Sequence, residues 1–560
     1  MTKGPRSPRG DDRATLMRLM RTARTLAHLR AGQVVDRLTR GLRPLPPAPA
    51  PSGWALRVGA GAQAPAGGEA GRSDGRSFTL LNQRVAFEGA DRWRPAAASD
   101  LWVYTLHYFR YLWAMPADQG LALIMDWIDA NPPGSSPGWD PYPISLRLRE
   151  WIEWLVTHPA IDGEGRARIV GSVAHQAAAL ASRPEYHLMG NHLLENAISL
   201  CWAGTSLEGP GSEAWLARGA ALLKSQLAEQ VLVDGSHDER SPMYQALVAE
   251  ALLRLQAVAS RRTSTLANEV RRAAAEAGRR LLAGLGALVH PDGEFALLND
   301  CAFGVAPRLA ELKERFPAAT DAGNPGGDSL PAAGYLVVRG AGGFYLVFDA
   351  GPIGPDHQPG HGHADTLGFE LSAGGQRLFT DTGVTTYAPG PTRAYDRGTS
   401  AHGTVQVDGL DQAELWGSFR CGARPAVEMA DRRAEGAETV LEGAYRTRLD
   451  GGRRLRHQRR IRVGVGAVDI VDRLACRGRH EATVRLHLAP GVEARLAGGA
   501  GELRRGPAVV GRVRLGAAAW RVEETPYHPA LNVEVARRTL VGTVSFTDET
   551  SFTTTIELSP

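Results

Sequence analysis

The hydrophobic pattern of this 560-residue chain changes once, near Gly326, and that change limits the folds that the chain can adopt. Before it, apolar residues recur with the period of one buried helical face, for example over residues 144–155. After it, short runs rich in branched and aromatic residues, such as GYLVVRG (334–340) and GGFYLVFDAG (342–351), alternate with glycine-rich turns. We therefore predict an α+β multidomain protein, with paired helices in a toroid or solenoid followed by an antiparallel β-sandwich.

A chain of this length exceeds what one hydrophobic core holds, so we expect several domains. Residues 1–95 are predicted to contain an arginine-rich amphipathic helix (15–43) and a Pro/Gly-rich linker (44–75) that lead into the helical domain. Residues 96–325 are predicted to form the helical domain, which we expect to be catalytic, and residues 326–560 the β domain.

Composition excludes several classes of protein. The 43% apolar and 22% charged fractions are those of an ordinary globular chain. The 64 basic and 60 acidic residues nearly balance, which argues against nucleic acid as a partner. No apolar run reaches the roughly 18 residues of a membrane span. The four cysteines are far apart, which argues against a cysteine-based zinc ribbon. The basic N-terminus lacks an apolar segment, so we expect no secretory signal and a cytoplasmic location.

The segment GNHLLEN (190–196) is the first candidate for catalytic chemistry. On a helix, His192 and Glu195 would share a face. A carboxylate beside an imidazole selects its tautomer and raises its basicity, and the Asn191 amide can donate to a carboxylate. The alternative is a helix that Asn191 merely caps, with His192 at the surface.

The segment DERSPMY (238–244) is the second candidate. Ser241 followed by Pro242 predicts the start of a helix, because a hydroxyl caps free amides and proline at the first position loses no hydrogen bond. Tyr244 then lies in the first turn, where the helix dipole could lower the pKa of its phenol. Arg240 would act in the same direction. The alternative is a tyrosine that packs between helices.

A histidine-rich loop (357–363), followed by Asp381 and His402, is the strongest local signal. Two neutral imidazoles and one carboxylate would make a three-ligand site with an open position, suited to zinc or manganese. Polar loop histidines without a metal are the alternative. Three further residues between Asp381 and His402 are candidates for binding an anionic ligand: Arg393, Tyr395 and Arg397.

Five segments occur in an order that resembles the heparinase II/III family of polysaccharide lyases: NHLLEN, ERSPMY, HGHADTLGFEL, DTGVTTY and RGTSAHGTVQVDG. The resemblance covers about residues 100 to 420, and LWVYTLHYFRYL resembles members encoded beside polysaccharide genes. It implies an N-terminal (α/α) toroid, a C-terminal antiparallel β-sandwich, and β-elimination on an anionic uronate polysaccharide such as a glycosaminoglycan or alginate. Secreted members work in the periplasm, which is the alternative location.

The resemblance also implies roles for individual residues. Asn191 and His192 match the pair that neutralises the uronate carboxylate, with Glu195 orienting His192. Tyr244 matches the tyrosine that acts as acid, and as base too when both events occur on one face. His361 is a further base or substrate contact. The implied metal ligands are His363, Asp381 and His402, and the supporting or substrate-binding residues are Arg240, Gln245, His107, Arg393, Tyr395 and Arg397.

Two departures from the family pattern leave other functions open. Gln245 stands where many relatives have histidine, and Thr105 where relatives often have asparagine. A non-catalytic polysaccharide-binding protein of an export or synthesis machine is therefore one alternative. A glycoside hydrolase is another, and it would need two facing carboxylates, chosen from Glu195, Asp238 and Glu239.

Overall fold

The computed structural model describes residues 8–48, 53–57, 59, 64–67, 71–320, 328–449, 452–516 and 519–559, without the side chains of residues 8–14, 16, 17 and 515. In this part of the chain, helices dominate the first half and antiparallel strands the second, as predicted. No described helix is both long and apolar enough to cross a bilayer. The predicted domain boundary at residue 325 lies outside the described residues, so the domain limits stay predictions.

The helices are numbered in chain order. They are α1 (Pro8–Leu26), α2 (Ala31–Thr39), α3 (Asp100–Leu106), α4 (Ala117–Ala130), α5 (Pro141–Thr157), α6 (Gly163–Ser182), α7 (Gly190–Ser206), α8 (Ser212–Gln230), α9 (Pro242–Ala259), α10 (Thr265–Leu285), α11 (Leu309–Arg315) and α12 (Pro391–Arg397).

The prediction of one helix over residues 15–43 is wrong, because α1 and α2 are separate. Arg30 between them is extended, with φ −75° and ψ 148°. Its backbone N–H donates to Gln33 Oε1 at 2.9 Å, which satisfies a free amide at the start of a new helix. The chain therefore restarts its helix at Ala31.

The helical half is built around α7, which packs against α5, α8 and α9. Every residue of α7 except His192 is buried. The helix predicted over residues 144–155 is confirmed as part of α5, and Ile144, Leu148 and Trp151 are at most 1% exposed. The prediction of one buried face is wrong, because α5 is buried on nearly all sides. The near-complete burial of α7 positions its N-terminus, where the GNHLLEN segment begins, against the rest of the chain.

The strands are also numbered in chain order. They are β1 (Ala55–Leu56), β2 (Arg72–Ser73), β3 (Ser77–Leu80), β4 (Gln83–Ala86), β5 (Leu207–Glu208), β6 (Tyr335–Gly340), β7 (Phe344–Asp349), β8 (Phe369–Ala373), β9 (Gln376–Phe379), β10 (Val405–Val407), β11 (Leu415–Trp416), β12 (Arg420–Cys421), β13 (Ala426–Glu435), β14 (Glu438–Arg448), β15 (Arg454–Gly464), β16 (Ala467–His487), β17 (Val492–Ala497), β18 (Ala500–Arg505), β19 (Ala508–Leu515), β20 (Ala519–Ala530) and β21 (Val533–Leu558).

Two antiparallel sheets share the main core of the second half. Strands β6 to β9 pair in sequential order. The larger sheet has the order β13-β14-β15-β16-β21-β19-β18-β17, and β10 and β20 pair with β16 and β21. Phe348 and Leu371 from the first sheet and Ile461 and Ile556 from the second lie in one apolar cluster. The two sheets therefore pack against each other through this cluster.

The long connection between β7 and β8 joins the two halves, and it contains the histidine-rich loop. The backbone N–H of Asp300, which lies between α10 and α11, donates to the carbonyl of His361 at 3.1 Å. The backbone N–H of His363 donates to Asn299 Oδ1 at 2.9 Å. These bonds hold the loop against the ends of α7 and α9, where the candidate site lies.

Candidate active site

The N-terminus of α7 is locked to Glu239. The Glu239 carboxylate accepts from the backbone N–H of Asn191 and from its Nδ2, both at 2.7 Å. Gly190 has φ +52°, and a side chain there would collide with Glu239 Oε1. Burial alone would raise the pKa of Glu239, but His361, His237 and the bonds from Asn191 outweigh it and lower that pKa. An ionised carboxylate therefore orients the Asn191 amide.

His192 is paired with Glu185 rather than with Glu195, which corrects the predicted partner. His192 Nδ1 lies 3.2 Å from Glu185 Oε1, and its ring packs on Tyr142 with centroids 4.4 Å apart. Glu195 turns inward and pairs with Arg149 at 2.7 Å. Burial opposes the charged imidazolium, but the charge and hydrogen bond of Glu185 outweigh it and raise the pKa of His192. His192 therefore favours its cationic form.

Tyr244 lies at the start of α9, as predicted, and the Ser241 hydroxyl accepts from its backbone N–H at 3.4 Å. The expected lowering of its pKa is wrong. Burial, the neighbouring Tyr387 and Asp300 raise the pKa of Tyr244 well above its ordinary value. Arg240 does not oppose this, because its guanidinium donates to the carbonyls of Ala333 and Asp238. The phenol is therefore a proton donor at neutral pH.

His361 brings the two halves of the chain together at the candidate site. Its ring packs on that of Tyr244 with centroids 4.0 Å apart, and its Nε2 lies 3.5 Å from Asn191 Nδ2. Its Nδ1 lies 2.9 Å from Asp300 Oδ2. Because a carboxylate only accepts, Nδ1 carries the proton, and Nε2 is left as the acceptor in the neutral ring.

Asp300 was missed by the sequence reasoning, since no motif marks it. It is fully buried, and its second oxygen accepts from His363 Nε2 at 2.9 Å. The Arg393 guanidinium binds both oxygens, with Nη2 at 2.8 Å from Oδ2. Burial would raise the pKa of Asp300, but Arg393 and the two histidines hold it well below its ordinary value. The ionised Asp300 carboxylate therefore accepts a hydrogen bond from both His361 and His363 and holds the two rings in place.

Tyr387 was also missed, although it is the last residue of the DTGVTTY segment. Its hydroxyl lies 3.1 Å from that of Tyr244. The Arg393 guanidinium lies over its ring at 5.0 Å. A second phenol therefore borders the candidate proton donor, and the motif itself was the signal that could have identified it.

Five of the predicted supporting residues bond other parts of the fold, and their supporting or substrate-binding roles stay predictions. Arg393 and Arg397 are at most 1% exposed; Arg397 donates to the carbonyl of Gly362 at 3.0 and 3.1 Å. Gln245 bonds the carbonyls of Gly235 and Leu281. His107 contacts the carbonyl of Trp93 and Nε1 of Trp127 in the core. Arg240 donates to the carbonyls of Ala333 and Asp238, as described above. Tyr395 is half-buried and packs beside His528, with ring centroids 6.3 Å apart.

Two family models match adjoining parts of the chain. The heparinase II/III N-terminus matches residues 119–318, and the heparinase II/III-like C-terminal domain matches residues 322–558. The chain belongs to the heparinase II/III family. Both candidate clusters, at the start of α7 and in the histidine-rich loop, lie within these matches.

Relatives and solved structures agree with the family. A heparin-sulfate lyase of Pedobacter heparinus is 27% identical over 317 residues, 50% of this chain and 47% of that protein. One of Bacteroides thetaiotaomicron is 27% identical over 189 residues, 30% of this chain and 26% of that protein. The aligned region thus spans about half or less of these curated relatives.

Among solved structures, a crystal structure of heparinase III has a TM-score of 0.66 at 18% identity and covers 85% of this chain and 80% of that chain. The heparan sulfate lyase HepC from Pedobacter heparinus has a TM-score of 0.56 at 19% identity and covers 85% and 79%. At these identities the likeness shows a shared fold.

His363 and His402, which match the family's metal ligands, each have one ring nitrogen that is unpaired within the described residues. His402 Nδ1 faces both oxygens of Asp381, at 3.0 and 2.9 Å. Within the described chain, neither His402 Nε2 nor His363 Nδ1 has a hydrogen-bond partner, and the two rings lie 5.3 Å apart. These nitrogens suit metal coordination, with a carboxylate behind each ring. However, no group of three or more such side chains in the described residues is placed to hold an ion.

A small cavity of about 90 Å³ opens beside Tyr142 between α5, α7 and α9. Buried ion pairs line it, among them Arg149 with Glu195 at 2.7 Å and Arg254 with Glu150 at 2.7 Å. Because Tyr142 also packs on His192, this polar cavity adjoins the candidate site.

Proposed function

We propose that this protein is a polysaccharide lyase that cleaves an anionic uronate polysaccharide, of glycosaminoglycan or alginate type, by β-elimination. The observation that carries the proposal is the contact of Tyr244 from the helical half with His361 from the β half, beside Asn191. Elimination needs a group that neutralises the carboxylate, a base for the C5 proton and an acid for the departing O4. The site offers a candidate for each part.

In the proposed reaction, Asn191 and His192 bind the uronate carboxylate. Neutralising its charge makes the C5 proton acidic. Asn191 Nδ2 donates one amide hydrogen to Glu239, and its second hydrogen faces His361 Nε2 at 3.5 Å, a long contact that the substrate carboxylate would replace. The raised pKa of His192 supports a cationic imidazole as its companion.

His361 is proposed as the base. Asp300 accepts from Nδ1, so the lone pair of Nε2 is directed toward the Asn191 amide, where the substrate carboxylate is proposed to bind. Nε2 takes the C5 proton, the C5–H electrons form the C4=C5 double bond, and the C4–O4 bond breaks.

Tyr244 is proposed as the acid, since its raised pKa keeps the phenol protonated at neutral pH. It gives its proton to O4, and the products are a 4,5-unsaturated uronate and a new hydroxyl end. One proton returned through solvent from His361 to Tyr244 restores both side chains.

We also propose the finer features that the family resemblance implies. The helical half is proposed to form an (α/α) toroid, and the two packed sheets a β-sandwich. Zinc or manganese is proposed to bind His363 and His402 through their two unpaired ring nitrogens, with Asp381 as the third ligand. Coordination by Asp381 would require its carboxylate to leave His402 Nδ1, which it now faces at 2.9 Å. A bound cation there would hold the loop and the strands together, and no step above passes through it.

The glycoside hydrolase alternative is less well supported. Both oxygens of Glu239 accept from Asn191, and Glu195 is paired with Arg149. These two carboxylates are therefore engaged in holding the site rather than facing a shared water molecule.

The test is ultraviolet absorbance during incubation with hyaluronan, chondroitin, dermatan, heparan sulfate and alginate. Heparan sulfate comes first, because the named relatives are heparin-sulfate lyases. We expect a rise from the conjugated unsaturated uronate with at least one polymer. New reducing ends without a rise would indicate hydrolysis. Retention of a polymer without cleavage would indicate a binding protein.

A further inference from the structure

The net positive charge of this protein is concentrated in its first 43 residues. They contain eleven basic and three acidic residues, a net charge of +8, whereas the whole chain carries +4. The remaining residues are therefore net negative. Helices α1 and α2 lie in this basic segment, and the proposed reaction uses neither of them.

Helix α2 exposes its apolar face and buries its polar one. Val34, Val35 and Leu38 are 41%, 56% and 74% exposed, whereas Gln33 and Asp36 are each 3% exposed. At 100° per residue, the three apolar residues occupy one arc of the helix and the two polar residues the opposite arc. This is the reverse of a helix that packs on a protein core.

Polar contacts hold α2 in this orientation. Gln33 Nε2 donates to the carbonyl of His357 at 3.2 Å. Asp36 accepts from the backbone N–H of His187 at 3.1 Å and pairs with Arg43 at 2.8 Å. Because these bonds join α2 to both halves of the chain, its apolar face is directed outward by the fold.

Exposed apolar side chains also occur on α1 and just after α2. Of the twelve large apolar side chains that are exposed in the described residues, seven lie between residues 19 and 42. We call this the apolar-basic surface. Its apolar members are Leu19, Met20, Leu26, Val34, Val35, Leu38 and Leu42, and the exposed arginines beside them include Arg18, Arg30 and Arg37.

We infer that the apolar-basic surface docks this protein on an anionic lipid bilayer, with α1 and α2 lying in the headgroup region. Helices with an apolar face flanked by arginines bind such interfaces, because apolar burial and attraction to anionic headgroups add. Residues 1–43 carry a net positive charge whereas the rest of the chain is net negative. This charge distribution favours docking of the segment on an anionic surface rather than on a neutral one. A polysaccharide is a poorer match, since valine and leucine offer its hydroxyl groups no hydrogen bond. The inference does not depend on the lyase reaction.

The test is flotation of the full-length protein with lipid vesicles. One set contains phosphatidylcholine alone and the other equal parts of phosphatidylcholine and phosphatidylglycerol. We expect binding to the anionic vesicles that weakens with added salt. The double variant Val35→Asp/Leu38→Asp should bind them about tenfold more weakly or worse, because it places two charges in the inserted face. Val465→Asp is the matched control, since Val465 is 99% exposed but lies far along the chain in the β half.

Three outcomes would overturn the inference. The first is equal flotation of the double variant and the wild type, and the second is absence of wild-type binding to anionic vesicles. The third is wild-type self-association in sedimentation without lipid that the double variant abolishes, with vesicle binding unchanged, which would assign the surface to a second copy of this chain. Absorbance with soluble polymer, measured on the same preparations, reports the lyase reaction separately. Equal melting temperatures of the variants show that a loss of flotation is not a loss of fold.

Discussion

Replacing Tyr244 with phenylalanine removes the proposed acid and leaves the ring that packs on His361. A positioned general acid contributes about 10²- to 10⁴-fold to a rate, which is about 3 to 5 kcal/mol of barrier. We therefore expect Tyr244→Phe to lower kcat by at least about a hundredfold. The polymer should still bind, because the groups proposed to hold its carboxylate are unchanged.

Tyr387→Phe is the matched control, because the two phenols share one hydrogen bond at 3.1 Å. Each variant loses that bond, which contributes about 0.5 to 1.5 kcal/mol to the free energy of unfolding. Both variants should therefore be destabilised alike in urea, while only Tyr244→Phe loses the acid.

The assay is the initial rate of ultraviolet absorbance with the preferred polymer, together with urea unfolding of each variant. The reasoning is refuted if Tyr244→Phe keeps more than about a tenth of the wild-type kcat. It is also refuted if Tyr387→Phe loses as much activity as Tyr244→Phe, since the shared bond rather than the acid would then explain the loss.

Three further predictions concern the groups around this pair. Glu239→Gln should lower kcat by about ten- to a hundredfold, because a bond from Asn191 to a charged acceptor is worth about 1.5 to 3 kcal/mol; an unchanged initial rate would count against it. Glu185 raises the pKa of His192, so the cationic imidazole is present below that pKa and is lost as the pH rises through it. In Glu185→Gln, kcat/KM should therefore start to fall at a lower pH than in the wild type, and an unmoved alkaline limb would exclude His192 as the titrating group. His402→Ala, or chelation, should release zinc or manganese and lower the melting temperature; mass spectrometry showing no metal in the wild type would contradict that proposal.

The predictable part of this fold is the part encoded by local periodicity. The helix over residues 144–155 and the strands at 335–340 and 344–349 occur where the pattern indicated them. Ser241 caps α9, because its hydroxyl needs only the amide three residues later. In each case the information lies within one or two turns of backbone.

The site was predictable only in its individual residues. Tyr244, His361 and Asn191 were identified from their segments, but the groups that orient them come from other elements. Glu185 displaces Glu195 as the partner of His192 although both helical spacing and charge favoured Glu195. Helical spacing shows which residues share a face, and it does not show which carboxylate a neighbouring loop brings to that face.

Arginine is the residue type whose role is hardest to predict from this sequence. Arg393 and Arg397 lie between two candidate metal ligands, which suggested that they bind an anionic polymer. The arginine guanidinium carries five N–H donors in one plane, and these bind backbone carbonyls and buried carboxylates equally well. The fold uses Arg397 to hold the carbonyl of Gly362 and Arg393 to hold Asp300. Sequence alone cannot separate these uses, because the difference between them is burial.

The proposed acid and base belong to different halves of the chain, so catalysis and docking of the halves depend on the same contacts. Tyr244 begins α9, whereas His361 lies in the connection between β7 and β8. Asp300 joins the two, because its backbone binds the His361 carbonyl and its carboxylate orients the imidazole. A shift of the β half that broke the first bond would also move the His361 ring away from Tyr244 and Asn191. Substrate therefore meets an oriented base only when the halves are docked, and loosening this junction would lower kcat before it lowered the stability of either core.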